Sequence, residues 1–261
     1  MQVSLGIFTS ILLLLFVSSC KEHYPPTTKV ELNDPSRGLS IESVHHLGNS
    51  WQIVTVDPSK SKPSIQLADS AGKPLRDFSA FEAAAQKIGQ TTVWMMNAGM
   101  YHKGGTPVGL CIINGKQITP VNTSVGEGNF FLKPNGIFLL TNDGARIIDT
   151  NDWRPETAAM VKCATQSGPL LVSDGKFHPA IRENSPNKLI RNGVGVRADG
   201  HLCFVISTTP VSFHEMATFF RDHLNCPEAL YLDGTVSALY APRAKITPEA
   251  TRLGPVIGVW E

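Results

Sequence analysis

Strand-like patterns dominate this chain. Residues 51–57 (WQIVTVD) alternate apolar and polar positions and are rich in β-branched side chains, which predicts a half-buried strand. Residues 91–96 (TTVWMM) form a short, nearly continuous apolar run, as a buried strand would. Four further pairs of strand patterns are each broken by turn residues. Segments 108–114 and 117–118 flank Asn114-Gly115, and 136–141 and 146–149 flank Asn142-Asp143-Gly144. Segments 170–172 and 176–178 flank Ser173-Asp174-Gly175, and 193–197 and 202–207 flank Ala198-Asp199-Gly200. Asn-Gly and Asp-Gly supply the positive φ that tight hairpin turns require. Segments 230–232 and 256–260 complete the predicted strands. Two stretches carry helical spacing instead. Ser79-Ala80-Phe81-Glu82 reads as a capping box ahead of an apolar stripe of Phe81, Ala84, Ala85 and Ile88, closed by Gly89. Ser212-Phe213-His214-Glu215 opens a second stripe of Phe213, Met216, Phe220 and Leu224, with Pro227 just beyond its end. Four hairpins and two helices predict an α+β domain: a mixed, largely antiparallel sheet with a few packed helices.

The N-terminus changes the picture of where the domain begins and where it works. Residues 7–17 (IFTSILLLLFV) are apolar but too few to span a bilayer, and they suit the core of a secretory signal peptide. Val17-Ser18-Ser19-Cys20 resembles a bacterial lipobox, which implies cleavage before Cys20 and a lipid on its sulfur. Residues 1–6 hold no Lys or Arg, so the amino group alone supplies positive charge there, a departure from the usual signal. Residues 1–19 are therefore expected to be a lipoprotein-type signal peptide. Residues 20–39, polar and holding Pro25, Pro26 and Pro35, are expected to be a tether, with the globular domain spanning 40–261. The expected location is the exported bacterial cell envelope, lipid-anchored at Cys20 and facing the periplasm or the surface. With 23 Lys and Arg against 22 Asp and Glu, the chain gives no electrostatic case for nucleic acid. Four cysteines remain after Cys20: Cys111, Cys163, Cys203 and Cys226. An exported protein can form disulfides; four cysteines allow three full pairings, among which sequence does not choose, with Cys203 and Cys226 the preferred pair and buried free thiols an equal expectation for the others.

Several familiar chemistries are missing. His214-Glu215 begins a zincin-like pattern, but Thr218 stands where the second histidine is needed. There is no Gly-x-Ser-x-Gly elbow, no phosphate-binding Gly-rich motif and no paired Cys-x-x-Cys. No metal site is predicted from side chains and no cofactor is expected, although a divalent ion held by backbone carbonyls would leave no mark in a sequence. Polar residues gather instead at the ends of predicted strands. Asn97-Ala98-Gly99 follows 91–96, Thr165-Gln166-Ser167-Gly168 precedes 170–172, Arg191-Asn192 opens 193–197, and Asp233-Gly234-Thr235 follows 230–232. Gly126-Glu127-Gly128-Asn129 forms a further Gly-flanked loop.

Taken together and in this order, MNAGMYHKGGTPVGLCIINGK, GNFFLKPNGIF, ATQSGPLLVSDGKFHPA, RNGVGVRADGHLCFVIS and ALYLDGTVSALY resemble the phosphodiester glycosidase domain. This is the family of the mannose-6-phosphate uncovering enzyme, and the likeness is greatest to its short bacterial branch. One stretch departs: many members carry DGGGSS, whereas this chain reads DGTVS from Asp233 to Ser237. The resemblance implies hydrolysis of a glycosyl-phosphodiester bond in envelope or extracellular glycans, with a carbohydrate phosphodiester as substrate. A phosphate leaving group needs little protonation, so one carboxylate can suffice where other glycosidases need two. Asp233 is the expected nucleophile or base, and Glu127 the candidate second carboxylate. Arg191 is expected to grip the phosphate bidentately. Asn97, Asn129, Gln166 and Ser237 are candidates to bond sugar hydroxyls or phosphate, and His178 to donate to the leaving group. Gly99, Gly168 and Gly234 would allow close approach of backbone to ligand. Two other readings compete. One is a non-catalytic glycan- or phosphoglycan-binding lipoprotein. The other is a hydrolase that cleaves at phosphorus, which ordinarily uses a metal cluster.

Overall fold

The computed structural model describes residues 26–248 and 252–261. The expected signal peptide and Cys20 lie outside the described residues. Three sheets build the domain, and every strand pairing among the described residues is antiparallel. The mixed sheet expected from sequence is corrected accordingly. Strand residues outnumber helical ones, 42% to 15%, so the helices are accessories to the sheets.

The largest sheet has eight strands, in the order Thr27–Asp34, Leu39–His46, Asn49–Val56, Leu202–Ser207, Asn192–Val196, Glu228–Asp233, Leu170–Ser173 and Lys176–Phe177. A five-stranded sheet is centred on Val161–Ser167, and a four-stranded sheet on Thr92–Asn97 and Val256–Trp260. The alternation of side chains across the pleat divides the Leu39–His46, Asn49–Val56, Leu202–Ser207 and Glu228–Asp233 strands of the large sheet between two cores. Leu202, Phe204 and Ile206 face one core with Trp94, Met96, Phe138 and Leu140 of the smaller sheets. Cys203 and Val205 face the other, which holds Met216, Phe219 and Phe220 of the second helix. The helix Phe78–Lys87 covers the outer face of the four-stranded sheet through Phe78 and Phe81, against Met95 and Val256.

All four predicted hairpins form. Asn114 and Gly115 both take positive φ, as do Asp174 and Gly175, which is why those residue pairs occupy the turns. The second capping box also forms: the Ser212 hydroxyl accepts from Glu215 N while the Glu215 carboxylate accepts from Ser212 N. Its helix Phe213–Thr218 continues as a π-helical turn, Phe219–His223, with the Phe219 ring stacked on Trp51 at 4.2 Å. The first helix starts earlier than its sequence suggests. Asp77, not Ser79, is its N-cap, accepting from Ala80 N, and Glu82 is free to accept from the Tyr240 hydroxyl.

Two other expectations are corrected. Residues 27–34, placed in a polar tether, form an edge strand on Leu39–His46. Pro26 and Pro35 flank that strand rather than interrupt it. All four described cysteines are free and buried. Cys203 and Cys226 nevertheless lie side by side, their thiols hydrogen-bonded to each other.

Candidate active site

One strand from each sheet ends at the same place. Thr92–Asn97, Val161–Ser167 and Glu228–Asp233 converge, and their last residues are bonded across the junction. The Ser167 hydroxyl donates to Leu232 O at 2.8 Å, and Gly99 N donates to the Thr165 hydroxyl at 3.1 Å. Asn192, at the start of the strand beside Glu228–Asp233, is the hub. Its amide donates to Asn97 O at 2.8 Å, and its oxygen accepts from Asn97 Nδ2 at 3.2 Å and Asp233 N at 3.1 Å. The Asn97 oxygen in turn accepts from Ala238 N at 2.9 Å. Both asparagines are fully buried, so the pair frames the junction. The Ser237 hydroxyl, within reach of Ile190 O, Asn192 Oδ1 and Asp233 O, closes the turn after Asp233.

Asp233 lies on this frame and is 7% exposed. Its Oδ1 accepts from Gly234 N at 2.6 Å and Thr235 N at 2.9 Å, and Val236 N also bonds the carboxylate. Burial raises its pKa above the ordinary value, and these three N–H groups oppose the rise. The side chain is thus held by backbone donors yet short of solvent, as a carboxylate poised to take up a proton or attack would be.

Arg191 is wholly buried and has no carboxylate partner among the described residues. Its Nε donates to Val211 O, Nη2 to the Asn187 carbonyl and side-chain oxygens, and Nη1 to the Tyr231 hydroxyl. The guanidinium stacks 4.0 Å from the Phe213 ring centroid, a cation–π contact. Burial lowers its pKa, with Tyr231 working the other way. Of five N–H groups only one, on Nη1, is left over, so the fork expected to hold a phosphate is largely engaged inside the protein. Tyr231 links Arg191 to the loop of Asn129, whose side chain also bonds its hydroxyl.

The other expected residues are placed as follows. Gln166 Oε1 accepts from Leu110 N and Asn122 N, while Nε2 donates to Asn122 O and the Thr150 hydroxyl. That amide is saturated and pins the loop at 122 to the five-stranded sheet. A Cβ on Gly99 would collide with Thr165 and Gln166 O, one on Gly168 with Asn135 and Phe130 O, and one on Gly234 with the Tyr231 hydroxyl. All three glycines therefore allow close approach of protein to protein. Glu127 is exposed and makes no hydrogen bond or ion pair among the described residues. His178 is 4% exposed; its Nδ1 accepts from Ala180 N, and burial lowers its pKa against the pull of the Lys133 carbonyl. No hydrogen bond or ion pair joins either residue to Asp233 among the described residues. Asn192, Tyr231 and Phe213 were not expected at the site; Asn192 alone had a visible signal, its place between Arg191 and a strand. Among the described residues no group of three His, Cys, Asp or Glu could share a metal ion, and no helix is long and apolar enough to cross a membrane.

Comparison with known proteins bears on this geometry. The Escherichia coli (strain K12) protein YigE is 34% identical over 189 residues, which is 72% of this chain and 73% of YigE. The catalytic domain of zebrafish N-acetylglucosamine-1-phosphodiester alpha-N-acetylglucosaminidase, auto-inhibited by its pro-peptide, superposes with a TM-score of 0.59 at 17% identity, over 92% of this chain and 84% of that one. A hypothetical protein from Synechocystis superposes with a TM-score of 0.57 at 14% identity, over 90% and 64%. The phosphodiester glycosidase family model matches residues 90–259, a span that holds Asn97, Arg191, Asn192 and Asp233. The chain belongs to the phosphodiester glycosidase family.

Proposed function

We propose that this protein is an exported hydrolase that cleaves the bond between a sugar's anomeric carbon and a phosphodiester in envelope or extracellular glycans. Asp233 is its nucleophile or general base, and Cys20 its lipid anchor. The observation that carries the reading is the buried Asp233 carboxylate at the meeting point of three strands, in a chain of this family. The leaving group is a phosphate monoester, already a stable anion, so bond breaking does not wait for a strong acid. What remains is to supply a nucleophile or activate water, and a desolvated carboxylate with a raised pKa suits either task. Glu127, exposed on its Gly-flanked loop, stands as the candidate second carboxylate. Asn129 and His178 stand as candidates for sugar and leaving-group contacts.

The test uses residues 21–261 and a panel of sugar-1-phosphate diesters that includes N-acetylglucosamine, the sugar in the zebrafish relative's name. Released sugar and phosphate are both measured. Wild-type turnover, reduced at least about 100-fold in folded Asp233→Asn, is the expected result. Binding without turnover across the panel would instead favour a glycan-binding lipoprotein. Full activity in Asp233→Asn would remove Asp233 from the chemistry.

A further inference from the structure

With Arg191 engaged by carbonyls and Tyr231, a substrate phosphate lacks an obvious cation. A second arginine, Arg76, lies against Tyr101 on the segment that leaves the junction. Arg76 directs Nη2 to two backbone carbonyls, Lys103 O at 3.3 Å and Arg252 O at 3.2 Å. Its Nη1 is buried and has no hydrogen-bond partner. No carboxylate pairs with it among the described residues. The guanidinium carbon lies 5.8 Å from the centroid of the Tyr101 ring. The Tyr101 hydroxyl is likewise buried and without a partner. Two unpartnered donors thus sit on neighbouring side chains, one of them a cation with no counter-charge.

Their position ties them to Asp233. Tyr101 is four residues past Asn97, on the segment that leaves the three-strand junction. Gly99 in that segment bonds Thr165, and Met100 packs into the core that holds Tyr231. The Asp233 charge reaches the phenol: burial first, and then Asp233, push the Tyr101 pKa up to about 12, with Arg76 opposing. At neutral pH the phenol is a donor. The cradle is built for this arrangement. Gly105 takes φ +91°, and a Cβ there would overlap Arg76 Nη1; a Cβ on Gly254 would overlap the Tyr101 ring. Buried donors left unpaired cost roughly 1–3 kcal/mol each, and such groups call for an explanation in a native fold. The indoles of Trp51, Trp94 and Trp260 are also unpaired, so an orphan donor by itself proves little. Here the two orphans lie on side chains in contact, one of them carries a positive charge, and Tyr101 stands on the segment that leaves the junction at Asn97.

We propose that Arg76 Nη1 and the Tyr101 hydroxyl form an anion subsite beside Asp233 that takes a non-bridging oxygen of the substrate's phosphodiester. The inference rests on the glycosyl-phosphodiester reading above and assigns the phosphate to these two residues. Arg191 then serves as a positioning residue for Tyr231 and the Gly234 turn. An acceptor oxygen between Nη1 and the phenol would satisfy both donors and neutralise the cation next to a carboxylate that must itself stay free.

The experiment compares binding of two probes by calorimetry: the methyl phosphodiester of N-acetylglucosamine-1-phosphate, and the neutral methyl glycoside of N-acetylglucosamine. Wild type, Arg76→Gln and Tyr101→Phe are used, with folding checked by circular dichroism. Tyr101→Phe keeps the ring on Gly254 and removes only the hydroxyl. Wild type should prefer the phosphodiester at least about tenfold. Arg76→Gln should abolish that preference and Tyr101→Phe reduce it, while affinity for the neutral glycoside stays the same. A wild type with no preference, or variants that keep it within about twofold, would overturn the subsite. Turnover measured in parallel separates the two proposals. A wild type that prefers the diester but never cleaves it sinks the hydrolase and leaves the subsite. Cleavage that survives unchanged in both variants, with preference intact, does the reverse.

Discussion

At the residue scale, Asp233 shows how a site can oppose stability. Its pKa is raised in the folded protein from the ordinary 3.8, chiefly by burial. For a carboxyl with a raised folded pKa, the favourable contribution is fully present below the unfolded value and is lost as pH rises through the folded value. Ionised Asp233 is therefore a net burden near neutral pH. Asn at this position keeps an oxygen for Gly234 N and Thr235 N without the charge. The expected outcome is that Asp233→Asn melts at the same temperature as wild type or higher at pH 7, and that the gap closes below about pH 4. Melting curves across pH for both proteins give the answer. A variant clearly less stable at pH 7 would mean that the three backbone donors outweigh desolvation. With Asp233 in its proposed role as nucleophile or base, the acid limb of the wild-type rate profile should lie above the ordinary carboxylate range.

At the scale of elements, the helix that begins at Phe213 does more than cover the sheet. Val211 O holds Arg191 Nε and the Phe213 ring lies on the guanidinium, so the residues around the Ser212 cap also fix Arg191. Ser212→Ala removes the bond to Glu215 N and should cost about 1 kcal/mol in urea denaturation. A loss of less than a few tenths would show that the reciprocal bond from the Glu215 carboxylate carries the cap alone. Elements of this kind were legible in the sequence where the signal is local. The capping box at Ser212 and the Asn-Gly and Asp-Gly hairpins state their own geometry, because φ preference and side-chain capping act within four residues. Where two local signals compete, sequence is a poor guide. Asp77 and Ser79 can each cap a helix, and only packing of Phe78 and Phe81 on the four-stranded sheet selects the first. The edge strand Thr27–Asp34 was hidden for another reason: its prolines lie outside the paired residues, which composition alone does not reveal.

On the scale of the whole molecule, the site is a property of topology. Asp233 and Asn97 were visible as polar residues at the ends of apolar strands. Their connection through Asn192 was not, because it joins positions 95 and 41 residues apart in the chain. The same holds for Arg191: its residue type suggested a phosphate grip, but only the fold brings Val211 O, Asn187 and Tyr231 around it. Asn192 thus bears on two sheets and on the candidate catalytic loop together. Replacing it with Ala takes the acceptor from Asn97 Nδ2, Asp233 N and the Ser237 hydroxyl, and the donor from Asn97 O, all buried or nearly so. Each buried group left without a partner costs about 1–3 kcal/mol, and relaxation or entering water recovers part of that. Asn192→Ala should lose roughly 3 kcal/mol in urea denaturation, more than the Ser212 cap. Because Asp233 N is one of the groups released, catalysis should fall even where the variant remains fully folded. A variant as stable as wild type would mean that the sheets are held together by their shared apolar core and that the asparagine pair is not what joins them.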